Sequence, residues 1–454
     1  MSRSQLNASS QVSLAKFSWP NSADVKGMTG KSGEEHSPRR VWDLFSNRVV
    51  PFWVADFLLT PISHAWVDEK DRDDVSTPIN GKEWPVPIPK DISLNLIRIE
   101  MLNMGMEYMW LDVLCLRQKE EVREDVRVEE WKLDVPIIGV IYQFSSVVIY
   151  LSGLGLPLSL KEGDLDSDRC WFRRAWTVQE VGFERIIAGD TPDGPMHAKP
   201  IDDNGNYETA VLTRFHKQLG TLHSNPDIFS VLVAMRSRVS TNPVDRVAGL
   251  VLATIPRVIP AYYESRSLEE AWIALVNTTG RTQRGLLFFQ YPGIGLGSKK
   301  WRPTWDQVMT EPPPTFLTYS GFVQYDDEKD EDWVDVFCIE KGLLRGLDVV
   351  VADGLDRLGE FVVKDVAGTA YTFKIRVAHH FLIPEDIYTL LCALPVVFHG
   401  KPQDVTKPRY WAVGRQLPDQ RFEKVSVVVM DDWREVERLH SLDAVVTSQH
   451  FVLV

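Results

Sequence analysis

Asp112 closes a short strand-like run, residues 108–111, and is followed by an apolar exit that contains Cys115. In an open parallel sheet the carboxyl end of a strand is where the chain meets a ligand. A carboxylate at that edge could accept a hydrogen bond from a ligand hydroxyl. The same residue types also serve as a turn cap and a small core thiol. Upstream, Ser63, His64 and Trp66 end a second strand-like run and could line the same edge. A lone histidine beside a strand is as readily a structural hydrogen-bond partner. Downstream, Trp176 and Glu180 stand four apart. On a helix that spacing puts ring and carboxylate on one face, one turn apart. The sequence shows no complete Ser/His/Asp or Cys/His constellation; Cys115 and His64 would be neighbours only if their strands are adjacent. The four cysteines, Cys115, Cys170, Cys338 and Cys392, are far apart and have no CxxC spacing. They support neither a zinc site nor a disulfide framework, and fit reduced thiols in the cytoplasm. No metal and no resident cofactor is expected.

Positioning these residues takes alternating strands and helices. A strand candidate at 60–66 is followed by a mixed-charge loop over 67–89. Leu94, Ile97, Met101 and Met104 then form a helical stripe within 91–104. After the strand at 108–111 comes a long helical pattern over 119–142, which Pro136 interrupts. A strand at 147–151 and a Gly/Pro-containing loop follow. Asp168 then reads as the N-cap of a helix that stops at Gly182, ahead of a strand at 185–188. This alternation predicts a small parallel sheet covered on both faces. The predicted helix carries a geometric cost: starting at Asp168, it would place Glu180 about 18 Å along its axis, far from the strands' carboxyl edge.

Residues 1–40 are polar and read as disordered. Gly27, Gly30, Lys31 and Ser32 resemble a phosphate loop superficially, but Val25 stands where its first glycine must be and no strand precedes it. Residues 207–236, 242–247 and 268–278 read as helical. The glycines at 293–297 are too loosely framed for a nucleotide loop. The acidic run 325–332 marks a candidate boundary. Beyond it, β-like runs at 335–339, 348–351, 372–377, 388–391, 396–399, 410–413, 424–429 and 451–454 predict a β-rich C-terminal region. The expected organisation is a disordered segment at 1–40, an α/β domain with a helical extension at 41–310, and β-rich structure at 320–454.

The formal net charge of −13 leaves no general basic footprint, which argues against a nucleic-acid partner. Residues 135–160 carry no charge and are long enough to cross a bilayer. Pro136, Gln143, Gly153, Gly155, Pro157 and the break at Ser145 and Ser146 divide the run into a helix end and a strand, so a membrane span is not the expected reading. The first residues contain no apolar stretch of the kind a secretory signal requires.

Four blocks in order resemble the fungal heterokaryon incompatibility (HET) domain. They are Ser63 to Trp66; Trp110 to Gln118, with Asp112 and Cys115; Ile141 and Tyr142 through residues 147–151; and Trp171 to Glu180. Asn242 to Val247 resembles the helix that follows in the family, and Trp301 to Asp306 its later Pro/Trp segment. His64 and Val67 stand where Tyr and Gly are usual, and Leu116 and Arg117 replace a common Ile-Asn. The resemblance covers roughly residues 50–310, a span consistent with one large domain. It implies a role in non-self recognition and programmed cell death. The family in turn resembles TIR domains, which implies a flavodoxin-like parallel sheet. Some TIR domains cleave NAD with the glutamate of a Trp-x-x-x-Glu element after the third strand, and Trp176 and Glu180 have that spacing. By this resemblance NAD or a related nucleotide is the substrate and Glu180 is catalytic; Ser63, His64, Trp66 and Asp112 at the strand edge, with Arg173 and Trp176, are the expected substrate-binding residues. Arg173 or Arg174 would meet phosphate oxygens. NAD cleavage passes through an oxocarbenium-like state that a nearby carboxylate can stabilise. Two readings stay open: an NAD-cleaving enzyme, and a non-enzymatic module that associates with itself or with another incompatibility or signalling protein.

Overall fold

The computed structural model describes residues 37–454 except 56–58, 120–122, 144, 223–226, 255–257, 297–298, 314–320, 351–355, 394–396, 399–400, 403–408 and 443–445. Of the segment expected to be disordered, 1–36 lies outside the described residues, as does the phosphate-loop lookalike. The chain divides into two units. One contains the residues up to 226 together with Ser237–Ser267; the other contains Asp227–Arg236 and Leu268–Val454.

The first unit is built on six strands: β1 (Arg40–Asp43), β2 (Arg48–Pro51), β3 (Thr60–His64), β6 (Tyr108–Trp110), β7 (Ser146–Tyr150) and β8 (Glu184–Ile187). Between β3 and β6 the loop expected over 67–89 contains a separate hairpin of β4 (Arg72–Val75) and β5 (Val86–Pro89). The sheet order is β2-β1-β6-β3-β7-β8. β6, β3, β7 and β8 are parallel, and β1 runs antiparallel to β6. Apart from their first residues, β3, β6 and β7 are buried throughout, as parallel strands covered on both faces must be. The chain leaves β3 for β6 on one side and then crosses to β7 on the other. That reversal opens a crevice at the carboxyl ends of β3 and β7.

The covering helices are α1 (Leu94–Asn103), α2 (Asp112–Cys115), α3 (Glu124–Asp134) and α4 (Ile138–Gln143). α1 buries Leu94, Ile97 and Met101 of the expected stripe, whereas Met104 is the C-cap and is exposed. Pro136 sits in the turn that separates α3 from α4. No helix among the described residues is long and apolar enough to cross a membrane; residues 135–160 supply α4, β7 and turns.

The helix expected over 168–182 is absent. In its place are two single 3-10 turns, Trp171–Arg173 and Trp176–Val178. Local spacing pointed to a helix, but long-range contacts hold the chain open. Val239 N–H donates to the Arg173 carbonyl at 2.7 Å, and Ala175 N–H donates to Val239 O at 2.9 Å. Gly182 is a turn into β8. It has φ +64°, and an added Cβ would meet Val147 Cγ2 at 2.4 Å and the Ser145 carbonyl at 2.8 Å.

The second unit carries the expected β-rich region, built from β9 (Gln324–Asp326), β10 (Glu331–Arg345), β11 (Arg357–Lys364), β12 (Ala370–Val377), β13 (Asp386–Ala393), β14 (Val397–Phe398), β15 (Lys401–Pro402), β16 (Arg409–Leu417), β17 (Arg421–Met430) and β18 (Val446–Leu453). Pairing runs β10-β11-β12-β17-β16-β13 and returns to β10, so six strands close into a ring, and β18 pairs with both β10 and β17. Phe361, Phe373, Tyr388, Trp411 and Val428 belong to its core. The strand expected at 348–351 is not formed at 348–350, while β11 arises where none was expected.

Candidate active site

Ser63 and His64 are the last two residues of β3 and pair with Ile149 and Tyr150 of β7, at the crevice. Ser63 is fully buried. Its hydroxyl donates to Glu180 Oε2 at 2.5 Å and accepts from Trp171 Nε1 at 2.7 Å. The 3-10 turns bring Glu180 to the sheet edge and remove the 18 Å displacement that a helix would impose. Glu180 is 8% exposed. Burial pushes its pKa up to about 7; the Ser63 hydrogen bond opposes this and Asp112 adds to it.

Asp112 opens α2 directly after β6. Its Oδ1 lies 2.9 Å from His64 Nε2, its Oδ2 accepts from Trp66 Nε1 at 3.2 Å, and Val113 N–H donates to Oδ1 at 2.7 Å. The His64 and Trp66 rings stack with centroids 5.6 Å apart. Burial works to lower the His64 pKa, but Asp112, with Glu180 behind it, outweighs that and raises it. β3 and β6 are adjacent, but Cys115 lies at the end of α2, its thiol against the backbone of Leu111 and Trp42, and it does not line the cavity with His64. Burial pushes the Cys115 thiol up to about 12, so it is no thiolate nucleophile.

A cavity of about 340 Å³ collects these groups; His64, Trp66, Asp112, Trp176 and Glu180 all line it. Its volume falls in the range of small-molecule sites. Trp131, Tyr142 and Tyr262 supply further aromatic wall. Arg173 is elsewhere. Its guanidinium donates to the Asp166 carbonyl and pairs with Asp168, while Arg174 faces the cavity. Adjacent residues in extended backbone point to opposite sides, and Arg174 is extended. Trp176 and Glu180 share the cavity without sharing a helix.

Three residues with no assigned role in the sequence reading complete the site. Arg238 Nη1 donates to the Arg174 carbonyl and to Thr177 Oγ1, both at 2.6 Å, and so fixes the loop that presents Glu180. Asp245 accepts from Tyr262 Oη at 2.6 Å and from the Trp176 side chain. Burial raises its pKa to about 6. Asp245 does lie in the Asn242–Val247 block that resembles the family helix, and this was its only signal in the sequence. Among the described residues, no three carboxylate, imidazole or thiol groups converge as metal ligands would.

Residues 60–157 match the family model described as heterokaryon incompatibility protein (HET). The HET match spans β3 to β7 and the loop beyond, and so includes Ser63, His64, Trp66 and Asp112. Glu180, Arg174, Arg238 and Asp245 lie outside the HET match. No curated protein and no solved structure matches the chain.

Proposed function

We propose that the sheet-edge cavity of the first unit is an N-glycosidase site that cleaves NAD, and that this cleavage is the chain's contribution to heterokaryon incompatibility and the cell death that follows. The observation that carries this reading is Glu180: a buried carboxyl with a pKa near neutrality, held by Ser63 in an aromatic cavity at the switch point of a parallel sheet. The β6-β3-β7-β8 order, 2-1-3-4 among the parallel strands, is that of flavodoxin-like sheets and supports the TIR-like assignment.

The chemistry needs little else. As the ribose–nicotinamide bond breaks, its electron pair goes to the pyridinium nitrogen and nicotinamide leaves neutral. The oxygen of a water bonds to C1′, and one water proton is released. Ionised Glu180 stabilises the developing oxocarbenium charge, and with a pKa near 7 it can also take the water's proton. The aromatic wall accommodates the leaving ring.

One observation favours the recognition-module alternative: Asp112 is already hydrogen-bonded by His64, Trp66 and Val113 N–H, as a structural carboxylate would be. NAD consumption by the purified protein separates the two readings. Wild type is expected to release nicotinamide and ADP-ribose in equal amounts, and Glu180→Gln to lose about 100-fold or more while remaining folded. Activity equal in both proteins would displace Glu180 from the mechanism. No activity in either would leave the module reading.

A further inference from the structure

Arg174 lines the cavity, and the cleavage step leaves its guanidinium unused. Its backbone is pinned: its carbonyl accepts from Arg238, and it forms an isolated parallel bridge with Val239. Its side chain is not. Among the described residues the Arg174 guanidinium makes no hydrogen bond or ion pair. Asp245, the carboxylate that acts on it most strongly, is taken by Tyr262 and Trp176. Burial lowers the Arg174 pKa, the direction expected of a cation that has lost water without gaining a partner. The neighbouring Arg173, by contrast, pairs with Asp168 and donates to the Asp166 carbonyl.

Arg174 also lines a second cavity, of about 390 Å³, which shares Trp66, Glu69, Arg72, Arg174 and Thr241 with the first. The second cavity differs in charge. Lys70, Arg72, Arg169 and Arg174 face it against two carboxylates, Asp68 and Glu69. Arg169 is tied to Asp68, and Arg72 reaches Glu69 only at 3.5 Å while its guanidinium lies 5.6 Å from the centre of the Trp66 ring. In a chain of net charge −13, this is a local cationic site with an unsatisfied planar fork aimed into it. Guanidinium forks match the paired oxygens of phosphate.

We propose that the second cavity is the phosphate subsite of the first. The substrate of the first unit is then a phosphorylated nucleotide, its phosphate oxygens held by Arg174 and Arg72, and not a free nucleoside. The inference rests on the reading of the first cavity as a ribose site. It adds a direction: the leaving ring lies among Trp131, Trp176 and Tyr262, the ribose against Glu180, and the phosphates beyond Trp66.

The test is binding, measured by calorimetry without turnover, with ADP-ribose, adenosine and inorganic pyrophosphate as probes. Wild type is expected to bind ADP-ribose and pyrophosphate, more weakly as salt is raised, and to bind adenosine at least about tenfold more weakly than ADP-ribose. Arg174→Met is expected to lose pyrophosphate binding and to bind ADP-ribose about tenfold or more weakly. Arg174→Lys should recover only part of this because it lacks the fork. Arg185→Met, on edge strand β8, should leave binding unchanged. Arg174→Met removes an unpaired, desolvated charge, so it should fold at least as well as wild type, which circular dichroism and melting will check. Equal affinity of wild type and Arg174→Met for pyrophosphate, or no binding by either, overturns the proposal. The cleavage assay is read separately: pyrophosphate bound through Arg174 without NAD cleavage removes the enzyme reading and keeps the subsite. NAD cleavage with KM unchanged in Arg174→Met does the reverse.

Discussion

Glu180 ties function to stability through one proton. Its folded pKa, about 7, lies above the ordinary carboxyl value because burial penalises the charged form. Below about pH 4.5 both folded and unfolded chains hold the proton, and the group costs nothing. Between there and pH 7 the unfolded chain ionises first, so stability falls as pH rises, by roughly 3 kcal/mol in total, and then levels off. Glu180→Gln abolishes this slope. The variant is expected to melt higher than wild type at pH 8 and nearly equal to it at pH 4.5, in thermal melts across that range. A variant less stable than wild type at pH 8 would show that the carboxylate is structural. Cleavage should follow the opposite trend in wild type, rising through pH 7 as Glu180 ionises. Ser63→Ala removes a hydrogen bond that holds the pKa down, so the midpoint of the pH–rate profile is expected to move upward.

At the scale of elements, the strands were legible and the loops that use them were not. Strand-like runs announced β3, β6, β7 and β8 within a residue or two, and β3, β6 and β7 are buried as strands covered on both faces are. Asp112, Ser63, His64 and Trp66 could be placed near the carboxyl edge from sequence because they flank those strands. The 168–182 segment misled because its Asp168 and Gly182 mimic helix start and stop signals, whereas its shape comes from partners more than sixty residues away: Arg238 on Thr177 and Ser63 under Trp171. Arg238 behind the loop and Tyr262 in the cavity wall are placed by the same kind of contact, which no local pattern encodes. Gly182 tests how strictly this loop is held. Gly182→Ala would set a Cβ against Val147 and the Ser145 carbonyl at positive φ, and is expected to cost about 2–4 kcal/mol in denaturant unfolding and to displace Glu180. Gly81 has a similar φ, +70°, with nothing within 4 Å of an added Cβ. Gly81→Ala should therefore cost only the left-handed strain, about 1–2 kcal/mol. Equal costs at the two positions would mean that the close approach at Gly182 is easily relieved.

At the scale of the whole molecule, ring closure of the second unit was not readable, since β10 pairs with β11, β13 and β18 across long sequence separations and turn residues record only where strands end. The two units also respond oppositely to pH. In the first, Glu180, Asp245 and His64 have raised pKa values, so folding holds protons and stability falls as pH rises past about 4.5. In the second, burial drives His379 down to about 4 and Lys424 down to about 7. Lys424 is 1% exposed and donates to the carbonyls of Tyr291, at 2.6 Å, and Leu287, at 3.3 Å. Below pH 7 it is charged in both states and its burial penalty is at its largest. Above pH 7 the folded amine is neutral while the unfolded one stays charged, so the penalty shrinks as pH rises toward the unfolded value. Between pH 7 and 8.5 the second unit is expected to gain about 2 kcal/mol from this group. Above about pH 9 the buried thiols Cys338 and Cys392, both raised to about 12, work the other way. Lys424→Met should therefore flatten the rise in melting temperature between pH 7 and 8.5, and Glu180→Gln should flatten the fall between pH 5 and 7. Because the two windows do not overlap, calorimetry of both variants assigns each slope to its unit. A Lys424→Met protein that keeps the wild-type rise would show that the amine is still charged in the folded state, held by the two carbonyls strongly enough to offset its burial.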